Sequence, residues 1–385
     1  MDKITLTFVP AILTILVAAG LGRMLSKGMK QTAILGELIL GMILGNLIIL
    51  SDPEPISRIA DIGILLLLFS VGLGLNFEEF KRLEVASSIV AVFGVVLPFI
   101  LGYFAAIFFK FSHTVALFVG TALVATSVSV SASVLTELKI LHTRLSTFII
   151  GAAVVDDVIG VMMMSVIVGS LTLGTIVIGK ISLLIVLTIL FFLISLTFVI
   201  KLGRKLSEKI TLGKEDLLLL GLVIVLAFGL ISEEIGLSAI VGAFIAGVIA
   251  GQTHFGERLR EYVSLIGGGF FIPIFFVVVG MGFNIHEFAN IGAFAAVVII
   301  VAIVGKIVGC GLAARASKFS SRESFAIGVA MIPRAEVALI ITKFGLENKF
   351  IGADTASTIM IMIIVTSLLT PPLLLKVLKM TGNKK

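Results

Sequence analysis

The sequence predicts an all-α integral membrane protein of about thirteen transmembrane helices. Two six-helix repeats of opposite topology flank a linker helix, and two of the spans are discontinuous helices that cross. Three observations carry this reading. The chain is 59% hydrophobic and only 14% charged, against about 25% charged residues in a soluble domain. The second half echoes the first at a nearly fixed offset. Matching spans in the two halves are interrupted at matching places.

A span needs roughly 20 apolar residues. Candidates fall near 4–22, 31–50, 59–76, 85–109, 114–136, 146–171, 174–200, 215–232, 236–252, 262–282, 289–314, 323–345 and 353–378. The first run resembles a signal peptide, because Lys3 precedes it. Its length, with Arg23, Lys27 and Lys30 following as an anchor, favours a retained span. With the N-terminus outside, alternate loops collect most of the 29 Lys and Arg, including Lys201, Arg204, Lys205, Lys209 and Lys214 in one connection. The positive-inside rule therefore predicts an outside N-terminus and a cytoplasmic C-terminus. It also explains the net charge of +6 without nucleic acid as a partner. A single cysteine, Cys310, excludes an intrachain disulfide.

The internal echo is specific. Gly72-Leu73-Gly74-Leu75-Asn76-Phe77-Glu78-Glu79-Phe80 matches Gly280-Met281-Gly282-Phe283-Asn284-Ile285-His286-Glu287-Phe288. Gly36, Gly41 and Gly45 align with Gly242, Gly247 and Gly251, and Gly120-Thr121-Ala122 with Gly328-Val329-Ala330. Spans 1–6 then correspond to spans 8–13, and an odd connector inverts the second copy. Inverted repeats are a signature of secondary transporters with a midplane site. The glycines by themselves also suit close helix packing.

Spans 5 and 12 both look broken. The first contains Ala125-Thr126-Ser127-Val128-Ser129-Val130-Ser131, whose hydroxyls can satisfy unwound backbone. The second contains Ile332-Pro333-Arg334-Ala335-Glu336, where Pro333 lacks an N–H and clashes with the preceding turn. Ser and Thr at helix interfaces and Pro kinks are ordinary membrane features when taken singly.

Asp156 and Asp157 stand together in span 6 between two apolar runs. One charge at a bilayer centre costs at least about 2.5–3.5 kcal/mol, so a doublet requires a compensating role, most often in an ion or proton path. At 1.5 Å per residue, Asp156 lies roughly 18 Å from Arg144 and Lys306 roughly 14 Å from Arg315. Thr126 and Arg334 fall at similar depths, so four distant segments converge near one plane. Adjacent helical residues point about 100° apart. One carboxylate can therefore pair with Lys306 while the other faces water and alternates between a proton and a hard cation such as Na⁺. A purely structural ion pair is the other reading, and it weighs more for Lys306 than for the doublet. Arg334 and Glu336 are two residues apart and read as charge compensation for helix ends in the breaks. Glu37 and Asp61 sit near span ends and read as interfacial or funnel-lining, and His254 and His286 as solvated loop residues.

These residues resemble the monovalent cation:proton antiporters of the second branch, in particular NapA-type Na⁺/H⁺ antiporters. The specific elements are Ala125-Thr126-Ser127, Ala153-Val154-Val155-Asp156-Asp157, Lys306 and Arg334-Ala335-Glu336. The resemblance implies an NhaA/NapA-like fold and a homodimer in a cell membrane. It implies a dimerisation domain from 1–84 and 214–288, a mobile core from 85–172 and 289–385, and a linker helix over 173–213. An elevator movement of the core is part of the same implication. By the family pattern Asp157 is the principal cation ligand, helped by Thr126 and Ser127, and Asp156 exchanges between Lys306 and the ion. Paired carboxylates imply electrogenic exchange of two protons per Na⁺, with transported Na⁺ or Li⁺ and H⁺ in place of any cofactor. Potassium-efflux relatives usually add a nucleotide-binding domain, and no strand followed by Gly-x-Gly-x-x-Gly is present here. A K⁺/H⁺ antiporter is the runner-up, because no residue fixes cation size. An organic-anion symporter would need a larger polar cavity, and a channel would need a filter segment. An enzyme is disfavoured, since no Ser/His or metal-ligand arrangement accompanies the carboxylates.

Overall fold

Apolar helices dominate the computed structural model, which describes residues 4–29, 31–75, 77–124, 126–173, 178–209, 212–282, 292–334 and 336–380. The helices in chain order are α1 (Phe8–Gly28), α2 (Ala33–Leu47), α3 (Glu54–Leu73), α4 (Phe77–Phe108), α5 (His113–Ala122), α6 (Val128–Glu137), α7 (Arg144–Leu173), α8 (Ile178–Leu193), α9 (Ile200–Ser207), α10 (Lys214–Ile235), α11 (Ala239–Gly251), α12 (Gly256–Ile266), α13 (Ile272–Met281), α14 (Ala293–Ala316), α15 (Ser321–Ala330), α16 (Glu336–Glu347) and α17 (Ala353–Met380). Wide π-helical turns, Ile194–Val199 and Gly267–Phe271, join α8 to α9 and α12 to α13. Among the described residues, eight helical stretches are long and apolar enough to cross a membrane unaided. Shorter apolar helices, such as Ala33–Leu47 and Ala239–Gly251, pack between them. The chain is a multi-pass membrane protein.

The ends of several helices follow from local chemistry. Ser112 caps α5 by accepting from the Val115 N–H at 3.3 Å. Ser320 and Glu323 form a reciprocal capping box at α15. Gly236, at φ +93°, closes α10 in the left-handed conformation that favours glycine.

Several boundaries differ from the sequence expectation. The apolar runs near 4–22 and 31–50 are not helical throughout. Ile4–Leu6 (β1) and Ile48–Leu50 (β2) instead form a parallel two-stranded pairing with Ile4 opposite Ile48. Both segments are rich in β-branched residues, and α2 stops after Gly45 and Asn46, which are poor helix formers. Helix α4 also begins at Phe77, not near 85, so the expected 84/85 division falls inside one continuous helix. Glu78 in its first turn favours that start.

Packing separates the helices into two sets. In one, α1 and α13 lie on α2, α3 lies on α11 and α13, and α10 lies on α11. In the other, α4 lies along α14, α7 and α5, while α14 and α15 lie on α17. The sets meet chiefly where α6 touches α3 and α2, and where α17 touches α2.

Close approaches recur at the offset seen in the sequence. A methyl group on Gly36 would overlap the Gly22 carbonyl and Ser26, and one on Gly242 would overlap the Phe228 carbonyl and Ser232. Each residue of the second contact lies 206 positions after its counterpart in the first. Likewise Gly41 abuts Gly280, and Gly247 abuts Gly72. Of the echoed Gly-x-Gly-x-Asn segment, Asn76 and residues 283–288, His286 included, lie outside the described residues.

Candidate functional site

Four segments meet at the two helix breaks. Helix α5 ends at Ala122 and α6 restarts at Val128; α15 ends at Ala330 and α16 restarts at Glu336. The Ser127 N–H donates to the Pro333 carbonyl at 2.7 Å. The Thr126 hydroxyl donates to the Met331 carbonyl at 3.2 Å, and the Ser131 hydroxyl to the Ala330 carbonyl. The first break thus supplies donors for carbonyls that the second leaves outside a helix, and unwound backbone away from water requires such partners. The Ser127 hydroxyl lies 2.9 Å from that of Ser129. Ala125 and Ala335 lie outside the described residues.

Asp156, on α7, is fully buried and held from two sides. Lys306 Nζ, on α14, donates to Asp156 Oδ1 at 2.7 Å, and the Thr126 N–H donates to Asp156 Oδ2 at 2.8 Å. The second bond comes from just before the first turn of α6, where the helix dipole favours an anion. Lys306 is itself fully buried. It reaches Asp156 because α14 and α4 pack closely over small residues: Gly305 sits against Pro98 and Gly309 against the Phe93 carbonyl. At Gly94 on α4 a methyl group would come within 3.4 Å of Lys306 Nζ and 2.5 Å of Cys310 Sγ. Asp157 follows on α7 and is 5% exposed.

Arg334, fully buried, serves the break in span 12. Its Nη1 donates to the Met331 and Ile332 carbonyls at 2.9 and 2.7 Å, just beyond the C-terminus of α15, where a cation complements the helix dipole. Its Nη2 reaches the Ala302 carbonyl of α14 at 3.4 Å. Glu336 opens α16, and its side chain lies outside the described residues.

Sequence reasoning missed two residues here. The Ser367 hydroxyl donates to the Arg334 carbonyl at 2.8 Å, and Thr366 Oγ1 accepts from the Arg334 N–H at 3.3 Å. The sign available was a Thr-Ser pair within the apolar run of α17. Glu37, read as interfacial, is buried: Arg23 Nε donates to its Oε1 at 2.7 Å, and the bond offsets removal of the carboxylate from water. Asp61 is exposed on α3, and the His254 N–H donates to the Ser207 hydroxyl at 3.3 Å. Among the described residues no cluster of three or more His, Cys, Asp or Glu is placed to hold a metal ion.

Chemically, the arrangement offers two adjacent buried carboxyls, one amine able to release or retain one of them, and hydroxyl and carbonyl oxygens at unwound backbone. Such a group suits a small cation and protons in turn.

Comparison with known proteins agrees in scale. The family described as "Sodium/hydrogen exchanger, transmembrane" matches residues 12–377. The chain is 32% identical over 366 residues to the Na(+)/H(+)-K(+) antiporter GerN of Bacillus cereus, covering 94% of this chain and 93% of that one. It is 31% identical over 373 residues to a Na(+)/H(+) antiporter of Enterococcus hirae, covering 95% and 97%. In fold it is similar to the sodium proton antiporter MjNhaP1 of Methanocaldococcus jannaschii, with a TM-score of 0.70 at 18% identity over 97% of this chain and 99% of the other.

Proposed function

The chain belongs to the sodium/hydrogen exchanger family, and on that premise we propose that it is a secondary-active antiporter exchanging Na⁺ or Li⁺ for protons. The observation that carries this reading is Asp156, gripped by Lys306 and by the Thr126 N–H, with the buried Asp157 beside it. Asp157 is the principal cation ligand in this proposal, with oxygens of Thr126 and Ser127 assisting. Asp156 passes between Lys306 and the ion. Arg334 and Glu336 compensate the helix ends. Cation and protons compete for the same oxygens, so occupancy by one releases the other. Each carboxyl can carry a proton, which makes the exchange electrogenic. No cofactor takes part.

The finer architecture is proposed alongside. Thirteen spans are counted when α5 with α6, α8 with α9, α12 with α13, and α15 with α16 each form one crossing. The repeated contacts of Gly36 and Gly242, and of Gly41 and Gly247, support two repeats of opposite topology. The sparse contact between the two helix sets supports a dimerisation domain (1–84, 214–288), a core (85–172, 289–385) that moves as an elevator, and a linker (173–213), with the first division shifted to the start of α4 because that helix is continuous. The homodimer rests on the family resemblance. Placement in the plasma membrane rests on the same resemblance, and the outside N-terminus on the distribution of Lys and Arg.

The test is purified protein in liposomes loaded with a pH-sensitive dye. Addition of Na⁺ or Li⁺ should move protons across the membrane, and uptake of cations with no proton movement would overturn the reading. K⁺ is the second cation to try, because the Bacillus cereus relative is named for Na⁺ and K⁺ together. The same liposomes with a K⁺ series decide between the two.

A further inference from the structure

Helix α2 begins without a cap of its own. Its preceding residue, Thr32, makes no side-chain bond to the first turn, and the buried Thr32 hydroxyl has no hydrogen-bond partner among the described residues. The first N–H of α2, that of Ala33, instead donates to Glu137 Oε2 at 2.8 Å. Glu137 is the last residue of α6, in the other helix set. A carboxylate at the C-terminal end of α6 is misplaced for that helix, whose dipole disfavours an anion there. The same carboxylate is correctly placed for the N-terminus of α2. Its position therefore serves the contact between the sets.

The surroundings hold α2 fixed. Arg23 on α1 donates through Nε to Glu37 Oε1 and through Nη2 to the Gly268 carbonyl, both at 2.7 Å. Gly268 lies in the π-helical turn before α13, where the wider register frees carbonyls. Arg23 thus ties α1, α2 and the α12–α13 turn into one unit, and Glu137 grips that unit from outside. At its other end α6 starts beside Ser127 and Thr126, whose N–H groups bond Pro333 and Asp156. Helix α6 is about 15 Å long, with the ion-site candidates at one end and the cross-set cap at the other.

We propose that Glu137 is a positioning residue for exchange: its carboxylate caps α2 across the boundary between the two sets, must release when the core moves, and holds Thr126 and Asp156 in register through α6 until then. This rests on the proposed antiport and on movement of one set against the other.

The experiment replaces Ala33 and Glu137 with cysteine in a Cys310→Ser background and measures exchange in liposomes, before and after oxidation or treatment with a short bifunctional maleimide. Cross-linking should lower exchange at least about tenfold, and reducing the disulfide should restore it. Full exchange in the cross-linked protein would overturn the proposal, as would failure of both reagents to join the two positions. Glu137→Ala should shift the Na⁺ KM by about 2- to 30-fold, the range of helix-cap removal. Glu137→Gln, which keeps an acceptor oxygen, should shift it less, and equal shifts in both variants would also overturn it. Unsubstituted protein serves as the control: absence of exchange there overturns the antiport reading and this one with it, whereas intact exchange through the cross-link overturns only the role of Glu137.

Discussion

Lys306 Nζ and Asp156 Oδ1 lie 2.7 Å apart, and neither side chain has any exposed surface. The two residues are 150 positions apart in sequence, so the pair is a product of tertiary structure, in which α7 and α14 both pack on α4. Removing one partner of a buried ion pair strands the other charge, at a cost of about 3–5 kcal/mol. Lys306→Ala should therefore lower the thermal unfolding midpoint sharply in detergent. The double variant Lys306→Gln with Asp156→Asn should recover much of the loss. An unchanged midpoint in the single variant would refute a stabilising pair.

Asp157→Asn keeps shape and burial while removing an ionisable oxygen. Exchange in liposomes should fall to background, and the purified protein should keep its elution profile and unfolding midpoint. Retained Na⁺-driven proton movement would remove Asp157 from the ion site.

Arg334 closes the carbonyls past α15 through two charge-assisted bonds, each worth about 1.5–3 kcal/mol. Arg334→Gln should lower stability by an amount in that range and slow exchange, because the unwound segment beside Thr126 loses its support. Arg334→Lys should rescue only in part, since an ammonium lacks the planar fork that spans two carbonyls. Unfolding midpoints of the three proteins check this ordering.

Ser367→Ala removes the hydroxyl that donates to the Arg334 carbonyl and should cost about 1 kcal/mol. Ser195 also sits buried within an apolar helical run, in the π-helical turn between α8 and α9 and far from the breaks in sequence. Ser195→Ala should leave exchange intact, and equal losses in the two variants would argue against a specific role for Ser367.

Gly36→Ala and Gly242→Ala place the same methyl group in equivalent contacts. Each should destabilise by about 1–3 kcal/mol through overpacking, to a similar degree. A large effect at one position and none at the other would count against equivalent repeats.

The broken spans were legible from sequence because Pro333 and the run from Thr126 to Ser131 conflict with regular helix at membrane depth. The beginning of α4 at Phe77 was not, because hydropathy marks where a helix enters lipid, while backbone hydrogen bonding continues beyond it. The pairing of Arg23 with Glu37 was hidden for a similar reason: both residues sit at span ends, and only the approach of α1 to α2 over Gly22 and Gly36 removes Glu37 from water.

The sequence by itself determined the membrane class and the apolar runs, and it marked Asp156, Asp157, Lys306, Thr126 and Arg334 as polar residues within those runs. The resemblance had already paired Asp156 with Lys306, whereas tertiary structure alone decided that Thr126 reaches Asp156 through its backbone N–H. It also decided that Thr366 and Ser367 serve Arg334. The reason is rotational: helical periodicity fixes a residue's bearing about its own axis, but the bearing of one helix relative to another is set by which small residues, such as Gly94, Gly305 and Gly309, let the backbones close together.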